Sequence, residues 1–204
     1  MKALLVIDIQ NDFLPGGSLA VPGGDEIISI VNGIQHYFGL VVATQDWHPA
    51  NHKSFASNHK GKKQFEKIEL GGLPQVLWPD HCVQGTKGAD FPGALNMNRV
   101  ETIFRKGTNP DIDSYSGFFD NGRKKSTGLT DYLRGRKVTE IYLAGLAGDI
   151  CVFSTGMDGV DEGFKTYIIE DASRPLNLED FKKTNKLFIE KGGKLIHSRE
   201  IATW

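Results

Sequence analysis

Three residues far apart in the chain, Asp8, Lys106 and Cys151, each stand at or just past the end of an apolar run. Cys151 lies in Leu143-Ala144-Gly145-Leu146-Ala147-Gly148-Asp149-Ile150-Cys151, where two glycines permit a sharp turn and Asp149 is set to cap a following helix. The thiol is therefore expected in a helix's first turn, where the dipole and unpaired backbone N–H groups favour the thiolate over a free cysteine's pKa of about 8.5 and could hold an oxyanion. Taken singly, each residue has a plainer reading. A free cysteine is usually a small buried hydrophobe, an aspartate at a strand end usually caps a turn, and a lysine there usually faces solvent. Together they supply a base, a cation and a nucleophile, which is what covalent catalysis by a thiol requires.

A second set could hold a metal ion. Asp46 and His48 are two apart, so on extended backbone their side chains leave the same face and can reach one ion. His81 would be the third ligand, and His52 a fourth or a neighbour of the site. One Asp and two His with positions left to water describe an open, substrate-accessible site rather than a closed cysteine site, and the set suits zinc, iron or manganese.

These residues need a scaffold that brings strand ends together. Apolar, β-branched runs of strand length recur at Ala3–Asp8, Leu40–Gln45, Glu101–Lys106, Val138–Gly145, Lys165–Glu170 and Lys194–His197, most reading as strands buried on both faces. Helical patterns lie between several of them. Ile27, Val31, Ile34 and Phe38 fall at three-to-four spacing, Asn177 with Asp180 starts a helix over Leu178–Lys191, and a third helix follows Gly148. The expectation is an α/β three-layer sandwich: a central, mostly parallel sheet of about six strands, with helices on both faces and chemistry at the strands' C-terminal ends. The chain, 1–204, reads as one domain. Its irregular part is a long loop region over about 46–100, with one short helix expected around Phe65–Leu70. A structureless stretch this long is usually functional or disordered, and we read it as functional because it holds four of the six histidines.

Composition narrows the partners. With 24 Lys+Arg against 25 Asp+Glu the formal net charge is -1, which argues against nucleic acid. At 39% hydrophobic and 24% charged the chain has the balance of a globular protein. The first apolar run ends at Asp8, far short of the roughly 20 residues a membrane helix needs, so neither a leader nor a membrane partner is expected and the location should be cytoplasmic. Two cysteines, Cys82 and Cys151, make no disulfide framework. Dinucleotide, P-loop and serine-hydrolase motifs are missing.

Five segments, in order, carry a resemblance that spans nearly the whole chain: VIDIQNDFLPGGSLAVPGG (6–24), TQDWHPANHKSF (44–55), WPDHCVQGTKGADF (78–91), FRKGTNPDIDSYSGF (104–118) and AGLAGDICVFST (144–155). They resemble the nicotinamidase/pyrazinamidase family of the isochorismatase-like cysteine hydrolases. The triad alone would indicate the superfamily, whereas the DWH and WPDHC segments resemble the metal-site signature of the nicotinamidase branch. The resemblance implies that Asp8, Lys106 and Cys151 are catalytic and that Asp46, His48 and His81 bind one divalent metal ion, zinc first, with iron or manganese as alternatives. His52 matches a histidine that ligates in some members and only neighbours the metal in others. A cis peptide is implied at Leu146–Ala147, and an oxyanion hole at the N–H groups of Ala147 and Cys151. Phe13, Trp78 and Tyr115 match substrate-ring positions, with Trp47 and Leu19 near the entrance. Gly148 departs from many relatives, which carry Ser or Thr.

The implied reaction is hydrolysis of nicotinamide to nicotinate and ammonia through a cysteine thioester, in NAD salvage, with pyrazinamide as a second substrate. The partner is then a small molecule, and a homo-oligomer is left open. A ureido-amidohydrolase or an isochorismatase would share the triad without needing the metal set. A binding protein without turnover would lack a nucleophile or base, and neither is lacking.

Overall fold

The first strand fixes the layering of the fold. In the computed structural model, which describes residues 1–201, β1 (Lys2–Ile7) sends Leu4 and Val6 into one apolar cluster and Ala3, Leu5 and Ile7 into another, all fully buried. Only a central strand covered on both faces can do this. β2 (Leu40–Asp46) is buried along its whole length, and β5 (Val100–Lys106), β6 (Glu140–Gly145), β7 (Lys165–Ser173) and β8 (Lys194–Ile196) complete a six-stranded sheet of order β5-β2-β1-β6-β7-β8. Every neighbouring pair is parallel, so the sheet is wholly rather than mostly parallel.

Helices cover both faces, as expected. α1 (Ile27–Ile34) packs Ile27, Val31 and Ile34 on the Leu4 side, where Ile201 of α5 (Ser198–Ile201) joins them. α2 (Leu129–Gly135), α3 (Phe153–Asp161) and α4 (Leu178–Glu190) lie on the other side with Leu129, Leu133 and Phe188 in its core. α4 starts where the sequence places it: the Asn177 side chain accepts from the backbone N–H groups of Glu179 and Asp180.

Two expectations are corrected. Phe65–Leu70 is not a helix; Lys67–Leu70 is β3, paired antiparallel with β4 (Leu73–Val76) through Gly71 and Gly72 at φ +61° and +84°. A two-residue turn with positive φ at both centres is a hairpin signal, and the alternating exposure of β3 confirms period two over period 3.6. β5, an edge strand, alternates partly buried and exposed residues up to buried Lys106 instead of being covered on both faces, with Ile103 44% exposed. No helix among the described residues is long and apolar enough to cross a membrane.

The chain runs outward from β1 to β2 and β5, then returns to β6 on the other side of β1. Such a reversal opens a crevice at the C-terminal strand ends. Asp8 follows β1, Asp46 and Lys106 end β2 and β5, and the Leu146–Cys151 turn follows β6. Gly145, at φ +145°, must be glycine there, because a Cβ would lie 2.0 Å from the Ile7 carbonyl oxygen.

Candidate active site

Lys106 is the centre of the polar cluster. Its side chain is fully buried, and its ammonium donates to Asp46 Oδ1 at 2.5 Å and to the Ser114 carbonyl at 2.9 Å, pairs with Asp8 Oδ2 at 2.9 Å, and lies 3.5 Å from Cys151 Sγ. Burial disfavours its charge, yet Asp46 and Asp8 together hold its pKa well above the ordinary lysine value. Asp8, at φ +47°, is fixed from its far side by the Thr44 hydroxyl, which donates to Oδ1 at 2.6 Å. Burial raises the Asp8 pKa, opposed by Lys106. Asp8, Asp46 and Cys151 each bring an atom within 4.8 Å of the others.

Cys151 departs from the electrostatic expectation. It does sit in a first turn, a π-type turn over Gly148–Val152 that leads into α3, but burial pushes its thiol well above the ordinary value and Lys106 only opposes this. The resting group is a neutral thiol beside the buried Asp8 carboxyl group, so an attack by this sulfur would need a proton acceptor at hand. Asp149 does not cap that turn; it reaches the segment before α4. The Leu146–Ala147 peptide is cis.

The donor set Asp46, His48 and His81 converges, with ligand atoms within 4.8 Å of one another. Each histidine has one nitrogen spent on an orienting bond. His81 Nδ1 lies 2.8 Å from the Pro79 carbonyl, and its Nε2 faces Asp46 Oδ2 at 3.9 Å; burial and the nearby His48 lower its pKa to about 4, so the ring is neutral at neutral pH. His48 Nε2 lies 3.3 Å from Asp113 Oδ1, leaving Nδ1 buried without a hydrogen-bond partner among the described residues. Burial opposes charge on His48, but Asp46 and Asp113 draw its pKa up. A buried carboxylate oxygen with two histidine nitrogens, each ring fixed through its other nitrogen, fits a divalent ion. His52 is placed differently. Its Nδ1 accepts the Ser54 backbone N–H at 3.1 Å and faces the Ser54 hydroxyl at 2.7 Å, its Nε2 is buried without a hydrogen-bond partner among the described residues, and the residue converges with His48 and Asp113 rather than with Asp46 and His81. It stands edge-on to His48, with ring centroids 4.6 Å apart. On this geometry, His81→Ala is expected to reduce bound divalent ion to background by elemental analysis, whereas His52→Gln should retain it; metal lost equally from both would contradict the three-donor set.

Beside these groups opens a cleft lined by Phe13, Leu19, Trp78 and Tyr115, by Asp46 and His81, and by Ala147 and Cys151. Its lining combines aromatic and apolar walls with a few polar groups, the usual make-up of a small-molecule site. Trp47 is not part of this wall; the Arg105 guanidinium lies 3.9 Å over its ring. Asp113, Gln75, Ile150 and Leu176 were not anticipated. Asp113 and Leu176 line the cleft with Ile150, and Gln75 Nε2 donates to Asp113 Oδ2 at 3.0 Å and to the Tyr115 hydroxyl at 3.2 Å, which also accepts from Trp78 Nε1 at 3.3 Å. Burial opposes ionisation of Asp113, but the His48 hydrogen bond and charge hold its carboxyl well below the usual range. Its signal was its place in NPDIDSYSGF, two residues before Tyr115.

A family model described as the Isochorismatase domain matches residues 2–200. The nicotinamidase of Acinetobacter baylyi is 48% identical over 176 residues, covering 86% of this chain and 82% of that protein. Among solved structures, the Acinetobacter baumanii nicotinamidase/pyrazinamidase superposes with a TM-score of 0.96 at 46% identity, over 98% of this chain and 97% of that one. A pyrazinamidase of Pyrococcus horikoshii in complex with zinc superposes with a TM-score of 0.79 at 38% identity, over 96% of this chain and 98% of that one.

Proposed function

The chain belongs to the isochorismatase domain family and, within it, to the nicotinamidases, and we propose that it hydrolyses nicotinamide to nicotinate and ammonia through a thioester on Cys151. The observation that carries this reading is the one aromatic-lined cleft that joins Cys151 and Ala147 to His81 and Asp46. A site for amide attack and a site for a ring nitrogen thus stand on one wall.

In this reading Asp8 takes the thiol proton as Sγ attacks the carboxamide carbon. Lys106 keeps positive charge beside both groups, so the proton moves within a balanced cluster rather than creating an isolated buried charge. The tetrahedral oxyanion is received by the backbone N–H groups of Ala147 and Cys151; losing one such donor typically costs on the order of 3 kcal/mol in barrier. Asp8 returns the proton to the departing nitrogen as ammonia leaves, then draws a proton from the water that opens the thioester. Phe13, Trp78 and Tyr115 hold the ring. A divalent ion held by Asp46, His48 and His81, zinc by likeness to the zinc-bound pyrazinamidase, would supply a Lewis-acid contact for the ring nitrogen. Pyrazinamide offers the same nitrogen and amide and should also be a substrate.

The test is ammonia release from nicotinamide, pyrazinamide and benzamide by protein of measured metal content. Benzamide has the same shape and reacting group but no ring nitrogen. A site built around that contact is expected to process it about 1,000-fold less efficiently in kcat/KM. Equal efficiency for benzamide and nicotinamide would refute recognition through the ring nitrogen; faster turnover of a ureido compound or isochorismate than of either amide would refute the nicotinamidase reading.

A further inference from the structure

The turn that carries Cys151 is held from outside itself. Asp149, 8% exposed, extends its carboxylate to a second segment: Oδ1 accepts the Leu176 backbone N–H at 2.9 Å and Oδ2 accepts that of Asn177 at 2.9 Å. In return the Gly148 N–H donates to the Arg174 carbonyl at 2.7 Å. The Phe181 ring closes the contact. A Cβ at position 148 would meet Phe181 Cε2 at 2.8 Å, so the glycine lets the first turn of α4 lie directly against the backbone of the Cys151 turn. Asn177, whose N–H Asp149 holds, is also the residue whose side chain starts α4.

The two segments meet again in the cleft, where Leu176 faces Ala147, Ile150 and Cys151. Asp149 itself does not line the cleft and touches none of the reacting groups among the described residues.

We propose that Asp149 is a positioning residue: its carboxylate locks the Ala147–Cys151 turn to the Arg174–Phe181 segment, and this lock sets the two oxyanion donors and the Leu176 wall in one register. The inference rests on the amidase reading of the site for its kinetic consequence and on the hydrogen bonds alone for its structural one. A carboxylate accepting two backbone N–H groups cannot be replaced by an amide of the same shape. In Asp149→Asn one N–H meets a carbonyl oxygen and the other meets an NH₂ group, so one of the two bonds is lost without a change in volume.

The experiment uses metal-loaded full-length Asp149→Asn, with Asp149→Ser, whose hydroxyl keeps one acceptor, as a second variant. Two ligands separate positioning from general loosening. Nicotinaldehyde adds the Cys151 thiol across its carbonyl: the sulfur–carbon bond forms, the carbonyl π pair moves to oxygen, and the thiol proton passes to Asp8, giving a tetrahedral adduct that needs the oxyanion donors. 3-Methylpyridine has the same ring and nitrogen but no carbonyl. Asp149→Asn is expected to lower kcat for nicotinamide about 10- to 100-fold with KM changed less than about threefold, and to weaken nicotinaldehyde by a similar factor while 3-methylpyridine binding stays within about twofold. Hydrogen exchange should show faster exchange at 147–151 and 174–177 together. Unchanged kcat, equal weakening of both ligands, or unaltered exchange at 147–151 would overturn the proposal. Wild-type protein that releases no ammonia from nicotinamide would count against the amidase reading instead, and the exchange measurement would still decide the role of Asp149.

Discussion

Cys151→Ala is expected to abolish ammonia release, a loss of about 10⁴-fold or more, on the scale seen when a nucleophile is removed from a covalent hydrolase. It should leave the fold intact. The change removes one sulfur atom from a residue that is 6% exposed, and that sulfur's polar neighbours are the Asp8 carboxyl group and Lys106 at 3.5 Å, both of which keep their other partners. In the proposed reading the ring is held by other residues, so nicotinamide affinity should change little. Cys82 provides the internal control. It is equally buried, with a thiol that burial pushes well above the ordinary value, and its backbone N–H is bound by Asp12 Oδ2 at 2.7 Å. Cys82→Ala should stay active. Mass spectrometry of acid-quenched enzyme should find an acyl adduct on Cys151; an adduct on Cys82, or an active Cys151→Ala, would end the assignment.

The difference between those two cysteines shows how far sequence reasoning reaches. The strands were legible because each is a short apolar run, and burial on both faces of a parallel sheet requires such runs. The placement of the proposed site residues was legible for the same reason: in this topology the end of such a run stands at a crevice, which is where Asp8, Asp46 and Lys106 are. What stayed hidden depends on which atoms meet across long separations. Asp113 cannot be linked to His48 by any local pattern, 65 residues away, and Gln75 reaches it from a hairpin that periodicity had disguised as a helix. Asp149 was misread because an acidic residue before a helix is ordinarily its cap; only the close approach of Phe181 to Gly148 draws a different partner into range. Electrostatics misled as well. Position at a helix start predicts a lowered thiol pKa, but burial in the cleft outweighs it.

Burial also decides the second large effect, Lys106→Met, which keeps the length of the side chain and removes its charge. Asp8 and Asp46 would then stand buried without their shared cation. Breaking one partner out of a buried ionic cluster typically costs about 3–5 kcal/mol. For a chain of this size that corresponds to a melting temperature lower by about 10 °C. The loss should depend on pH with a definite sign. The folded-state pKa of Asp8 is already raised by burial against the opposition of Lys106, and removing Lys106 raises it further. A carboxyl group with a raised folded pKa has its full stability below its unfolded value of about 3.9 and loses stability as pH rises through the folded pKa. The deficit of the variant relative to wild type, both melted in chelator so that no ion compensates Asp46, should therefore be small near pH 4 and grow toward neutrality. Turnover should fail throughout, because at acid pH Asp8 carries the proton it would have to accept, and at neutral pH no cation balances its charge beside the thiol. A deficit that is constant with pH, or largest in acid, would mean that Lys106 acts through packing rather than charge. Near-normal turnover in Lys106→Met would remove it from the catalytic cluster altogether.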